Sequence, residues 1–130
     1  MILVDTNIIG EVVRPRPDAG VMQWFGRLDD IAVSAITVEE VFFGLTARRS
    51  PRVERWLESF LDRRCKVLDV TAAIARHAGV LRGQLAGRGK ARAQADMMIA
   101  ATAALHGVSL ATRNVRDVED CGVVIVNPFA

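Results

Sequence analysis

Five short, nearly continuous runs of apolar and β-prone residues constrain this chain more than any other feature: Ile2 to Val4, Ile31 to Ile36, Lys66 to Val70, Val108 to Thr112 and Val123 to Val126. A strand with one wet face alternates apolar and polar residues, whereas a strand covered on both faces need not. Between the runs lie stretches with helical spacing, so strands alternate with helices, and the pattern predicts an α/β fold on a parallel sheet.

The helical stretches carry their own punctuation. Ile8, Ile9, Val12 and Val13 form a first apolar stripe, and Arg14-Pro15-Arg16-Pro17-Asp18 then breaks it, with the prolines favouring an extended backbone. Val21, Trp24, Phe25 and Leu28 recur at core-facing helical positions. Thr37-Val38-Glu39-Glu40 has the spacing of a capping box, with Val38, Val41, Phe42 and Leu45 behind it. Ser50-Pro51 opens a helix carrying Val53, Trp56, Leu57, Phe60 and Leu61. Thr71 caps another, with Ile74, Ala78, Leu81 and Leu85 on one face, ended by Gly83, Gly87 and Gly89. Met97 to Leu105 forms a last helix of small residues, closed by Gly107.

At 130 residues the chain suits one domain. Hydrophobic residues at 51% and charged residues at 25% exclude extensive disorder, and a net charge of +2 does not by itself announce a polyanion partner. Cys65 and Cys121 lack zinc-site spacing and read as buried, reduced thiols. The chain opens directly on a strand and has no apolar stretch long enough to span a membrane, so a cytoplasmic location is expected.

Acidic residues recur at one kind of position. Asp5 follows the first strand, Glu40 lies a turn beyond the second, Asp96 stands at a helix start and Asp117 follows the fourth strand. In a parallel sheet, the carboxyl ends of the strands share the edge where ligands bind. Asp96 opens a helix that leads into a strand, which addresses it to the opposite edge unless that helix starts late or leans across. Each residue has an ordinary alternative: Asp5 as a helix cap, Glu40 in the capping box, Asp96 favouring a helix dipole, Asp117 in a turn-rich loop. Three or four converging carboxylates would demand a counter-charge, which a hard divalent cation supplies.

MILVDTN, SAITVEEVFFG, QADMMIAATAALHG, LATRNVRD and VIVNPF, in that order, resemble the PIN-domain ribonucleases, and most of all the VapC toxins of bacterial toxin-antitoxin pairs. The resemblance covers essentially the whole chain. It implies a single PIN domain over residues 1–130, a three-layer α/β/α sandwich with a mainly parallel sheet of about five strands, and Mg²⁺- or Mn²⁺-dependent endonucleolytic cleavage of RNA. Asp5, Glu40 and Asp96 match the family's metal-ligand carboxylates, with Glu39 an adjacent competitor to Glu40, and this match brings Asp96 to the shared site. Asn114 or Asp117 supplies the fourth position. Thr6 and Thr112 carry hydroxyls suited to orienting carboxylates or water.

The implied reaction is attack of an activated water on phosphorus, without the RNA 2′-OH as nucleophile, leaving 5′-phosphate and 3′-OH ends. Arg82, Arg88, Lys90 and Arg92 are candidates for phosphate contact, with Arg113, Arg116 and Arg48-Arg49 as alternatives. The resemblance further implies a homodimer and a small antitoxin, in a heterotetramer or larger complex, whose tail covers an apolar surface that could include Trp24, Phe43, Trp56 and Phe60. Core burial explains those aromatics equally well. Rival readings are a non-catalytic PIN-like module binding RNA or protein, a metal-dependent DNA nuclease, and a receiver- or phosphatase-like domain. The last would need a second carboxylate where Thr6 and Asn7 stand, and a Lys where Asn114 stands.

Overall fold

The computed structural model describes residues 1–129, and in it the first apolar run is a strand over its full length while the other four form strands shorter than the runs themselves. In chain order these are β1 (Ile2–Val4), β2 (Ile31–Ser34), β3 (Cys65–Leu68), β4 (Ser109–Ala111) and β5 (Ile125–Val126). They form one sheet in the order β3-β2-β1-β4-β5, with every neighbouring pair parallel. The most buried strands, β1, β2 and β4, occupy its centre, and β3 takes an edge with Lys66 and Val67 exposed.

Six helices cover the sheet: α1 (Thr6–Val12), α2 (Ala19–Gly26), α3 (Ala35–Ala47), α4 (Pro51–Arg63), α5 (Ala72–Ala86) and α6 (Gln94–His106). Strand alternation divides the core in two. Leu3, Ala32 and Leu110 pack with Ile74, Ala78 and Leu85 of α5 and the small residues of α6. Val4, Ile31 and Val33 face the other way, onto Ile8 and Ile9 of α1, Val21 and Phe25 of α2, and Leu57 and Phe60 of α4. Helices thus cover both faces, as α/β/α layers. Burying a side chain such as Leu57 or Phe60 contributes roughly 1.5–3 kcal/mol.

Several helix ends fall where the sequence marks them. Ser50 caps α4 with Pro51 in its first turn, Thr71 caps α5, and Gly107 closes α6 at φ 64°. The third helix departs from expectation. Ser34 is its cap, accepting from the Ile36 N–H, so Thr37 lies inside α3 and Glu40 a turn further on, with no capping box. Gly83 lies within α5 and does not end it.

The Arg14 to Pro17 break is bent where an extended backbone was expected, because the buried Glu11 accepts from the Asp18 N–H at 2.8 Å and draws the chain back onto α1. Cys121 is buried, but Cys65 is only half-buried. Phe60 belongs to the core, with Trp56 stacked on it at 4.9 Å, whereas Phe43 is 72% exposed. Among the described residues no helix is long and apolar enough to cross a membrane.

Candidate active site

The sheet's carboxyl edge begins with Asp5, which leaves β1 with its N–H donating to the Ala111 carbonyl of β4 at 2.9 Å. Its extended backbone makes it the cap of α1, Oδ1 accepting from the Thr6 N–H at 2.7 Å. Capping does not exhaust the side chain. Oδ2 accepts from the Thr112 hydroxyl at 2.8 Å and from Asn7 Nδ2 at 3.1 Å. Burial raises the Asp5 pKa, the Thr112 and Thr6 hydrogen bonds oppose it, and the charge of Glu40 adds to the rise.

Two hydroxyls order this edge. Thr112 donates to Asp5 and accepts from Asn7 Nδ2 and the Asn114 N–H, both at 3.1 Å. Asn7 Oδ1 accepts from the Arg113 N–H at 3.0 Å, which fixes the amide's orientation. The Thr6 hydroxyl lies 2.6 Å from Glu40 Oε1 and 3.0 Å from the buried Thr37 hydroxyl. With one proton to give, it donates to the carboxylate and accepts from Thr37. Glu40 is thereby turned toward Asp5, while Glu39 is exposed on the helix surface.

Asp96 sits in the first turn of α6, where the cap, Ala93, offers no side-chain hydrogen bond. Its carboxyl is pushed up to about 6, first by burial and then by the negative charges of Asp5, Asp117 and Glu40, with Arg92 opposing. All four acidic residues therefore act on one point. The expectation that α6 would begin at the opposite edge had the geometry reversed. A helix that hands directly into a parallel strand ends at that strand's amino end, so its own start lies at the carboxyl edge. Asp117 ends a short 3-10 turn, Val115–Asp117, at the exposed rim. Asn114 precedes that turn, exposed, with its N–H tied to Thr112.

The basic candidates divide. Arg82 and Arg88 are exposed on and after α5. Lys90 pairs with Asp120 at 2.6 Å, and Arg92 donates to the Glu119 carbonyl at 2.9 Å, so both tie the loop before α6 to the turn after Asp117. Arg113 lies over the Phe129 ring at 4.6 Å.

Asn7 and Thr37 carry parts of this network that sequence reasoning did not assign. The signal for Asn7 was its place two residues after a strand-end Asp; Thr37 was misassigned because Thr-x-x-Glu spacing also occurs one turn into a helix. Among the described residues no three His, Cys, Asp or Glu side chains close into a ready-made metal cage. The donor set nevertheless fits a hard cation, being carboxylate and amide oxygens with no thiol; His106 lies at the far end of α6.

The family model for the PIN domain matches residues 2–119. The VapC ribonuclease Y4jK of Sinorhizobium fredii is 34% identical, over 99% of this chain and 98% of that protein. The tRNA(fMet)-specific endonuclease VapC of Shigella flexneri is 35% identical, over 92% of this chain and 91% of its own. Among solved structures, the crystal structure of FitAcB from Neisseria gonorrhoeae superposes with a TM-score of 0.85 at 32% identity, covering 99% of both chains.

Proposed function

The chain belongs to the PIN-domain family, in its VapC type, and on that premise we propose that residues 1–130 form a single domain hydrolysing RNA phosphodiester bonds. It is an endoribonuclease toxin held in check by a cognate antitoxin, acting in the cytoplasm where both are made. The observation that carries the reading is the crowding of Asp5, Asp117 and Glu40 on Asp96. Carboxylates so grouped repel one another and the substrate alike, and the family's divalent-metal dependence resolves both problems.

Asp5, Glu40 and Asp96 would hold Mg²⁺ or Mn²⁺, with Asn114 or Asp117 as a fourth oxygen donor. Such an ion would neutralise charge on the carboxylates and the phosphoryl oxygens and lower the pKa of the attacking water. The chain's own residues do the rest. Thr6 keeps Glu40 turned inward, and Thr112 with Asn7 keeps Asp5 in one orientation, so neither reorganises during reaction. Asp117, at the solvent rim beside Asp96, suits acceptance of the water's proton on a carboxylate oxygen.

The test is cleavage of labelled total RNA with Mg²⁺. Asp5→Asn and EDTA should each abolish it, with circular dichroism unchanged and products from the native protein carrying 5′-phosphates. Cleavage that survives either treatment would defeat the reading.

A further inference from the structure

We propose that a hollow beside Asn7, framed by Arg14, Arg16 and Arg113, is a subsite that grips a backbone phosphate of the RNA next to the cleaved bond; this deepens the ribonuclease reading and rests on it. The hollow measures about 230 Å³ and is lined by Glu11, Arg14, Arg16, Asp18, Arg113 and Phe129.

Its floor is built. Glu11 is only 6% exposed, with Oε2 taken by the Asp18 N–H and Oε1 by Arg14 Nη1 at 3.0 Å; Arg113 Nη1 lies 4.0 Å from that same oxygen. The Asp18 amide and the Arg14 guanidinium hold the Glu11 carboxyl below the usual range, so it is ionised at neutral pH. One negative charge thus faces two guanidinium groups. The other acid, Asp18, spends Oδ1 capping α2 through the Val21 N–H at 2.9 Å. Arg16 is exposed and has no ion-pair partner among the described residues. Three cations against two acids, one of them buried, leave a net positive hollow.

Position and shape identify the anion. The Arg113 N–H bonds to Asn7 Oδ1, and Asn7 Nδ2 bonds to Asp5 Oδ2, so a single side chain separates the hollow from the acidic depression. A strand cut at Asp5 brings a neighbouring phosphate against this wall. The Phe129 ring under Arg113 restricts that guanidinium to few orientations, and the planar fork matches two phosphate oxygens. A positive subsite here also offsets the repulsion a polyanion meets at the carboxylates.

The experiment compares native protein with Arg16→Ala, Arg113→Ala and the double variant, in Mg²⁺-dependent RNA cleavage and in RNA binding by fluorescence anisotropy. Arg113→Ala keeps the backbone N–H that holds Asn7. The double variant should raise KM about tenfold, the loss falling on KM and not on kcat. Its log-log salt slope for binding should become shallower by about 0.7, one phosphate contact on a single strand. Unchanged KM and salt slope would overturn the subsite, as would a kcat loss at constant KM, which would make Arg113 only a wall for Asn7. If the native protein cuts no RNA, the ribonuclease reading fails, while the anisotropy salt slope still decides the subsite.

Discussion

Asp96 holds its proton well above the usual carboxylate range, near 6 against an ordinary 3.8, because burial and three acidic neighbours disfavour its charge. Between those two values the folded chain binds more protons than the unfolded chain, so this group's contribution to stability falls as pH rises from about 4 through 6. Asp96→Asn should therefore raise the melting midpoint of the metal-free protein at pH 8, with the gain shrinking toward pH 4; thermal melts across that range check it. Mg²⁺ affinity of the native protein should rise over the same interval, since the ion competes with the proton. Thr6→Val removes the hydrogen bond that turns Glu40 inward and should cost about 10- to 100-fold in metal affinity or activity, read by Mg²⁺ titration of the cleavage rate. At this scale the sequence disclosed residues whose role follows from strand-end position, such as Asp5. It hid Thr37, whose partner lies 31 residues away, and left Asn7 indistinguishable from a turn former.

Among the α-helices described, α3 is the least covered, with Thr37 its one buried residue. Its stripe of Val38, Val41, Phe42 and Leu45 is only half-buried, and part of it lines a groove of about 380 Å³ with Ile9, Gly10 and Val53, ending at Thr6 and Glu40. A Cβ added at Gly44 would meet open space. Gly44→Ala should therefore stabilise the helix by about 1 kcal/mol, seen as a higher melting midpoint. Helix starts with a hydroxyl cap and a nearby proline were readable because their signals are local. Strand ends were not: the run Val123 to Val126 yields only Ile125–Val126, since pairing with a three-residue β4, and not apolarity, sets its length.

For the whole molecule, the α/β architecture was legible because continuous apolar runs require cover on both faces. The order β3-β2-β1-β4-β5 was not, because it depends on which way each crossover turns. The local pattern alone gave Asp96 the opposite edge as its default address, and only the family resemblance brought it to the shared site. Helix direction follows from the strand that comes after, which a local pattern does not contain. The finished sheet joins distant parts of the chain, for Thr112 and Asp5 meet across 107 positions and β4 pairs directly with β1. A chain truncated before Ser109 should show no Mg²⁺-dependent cleavage, and wild-type activity in such a fragment would contradict the assembly described. During synthesis, then, the carboxylate edge cannot close until β4 has left the ribosome and paired with β1. The order of translation itself delays the appearance of a working nuclease.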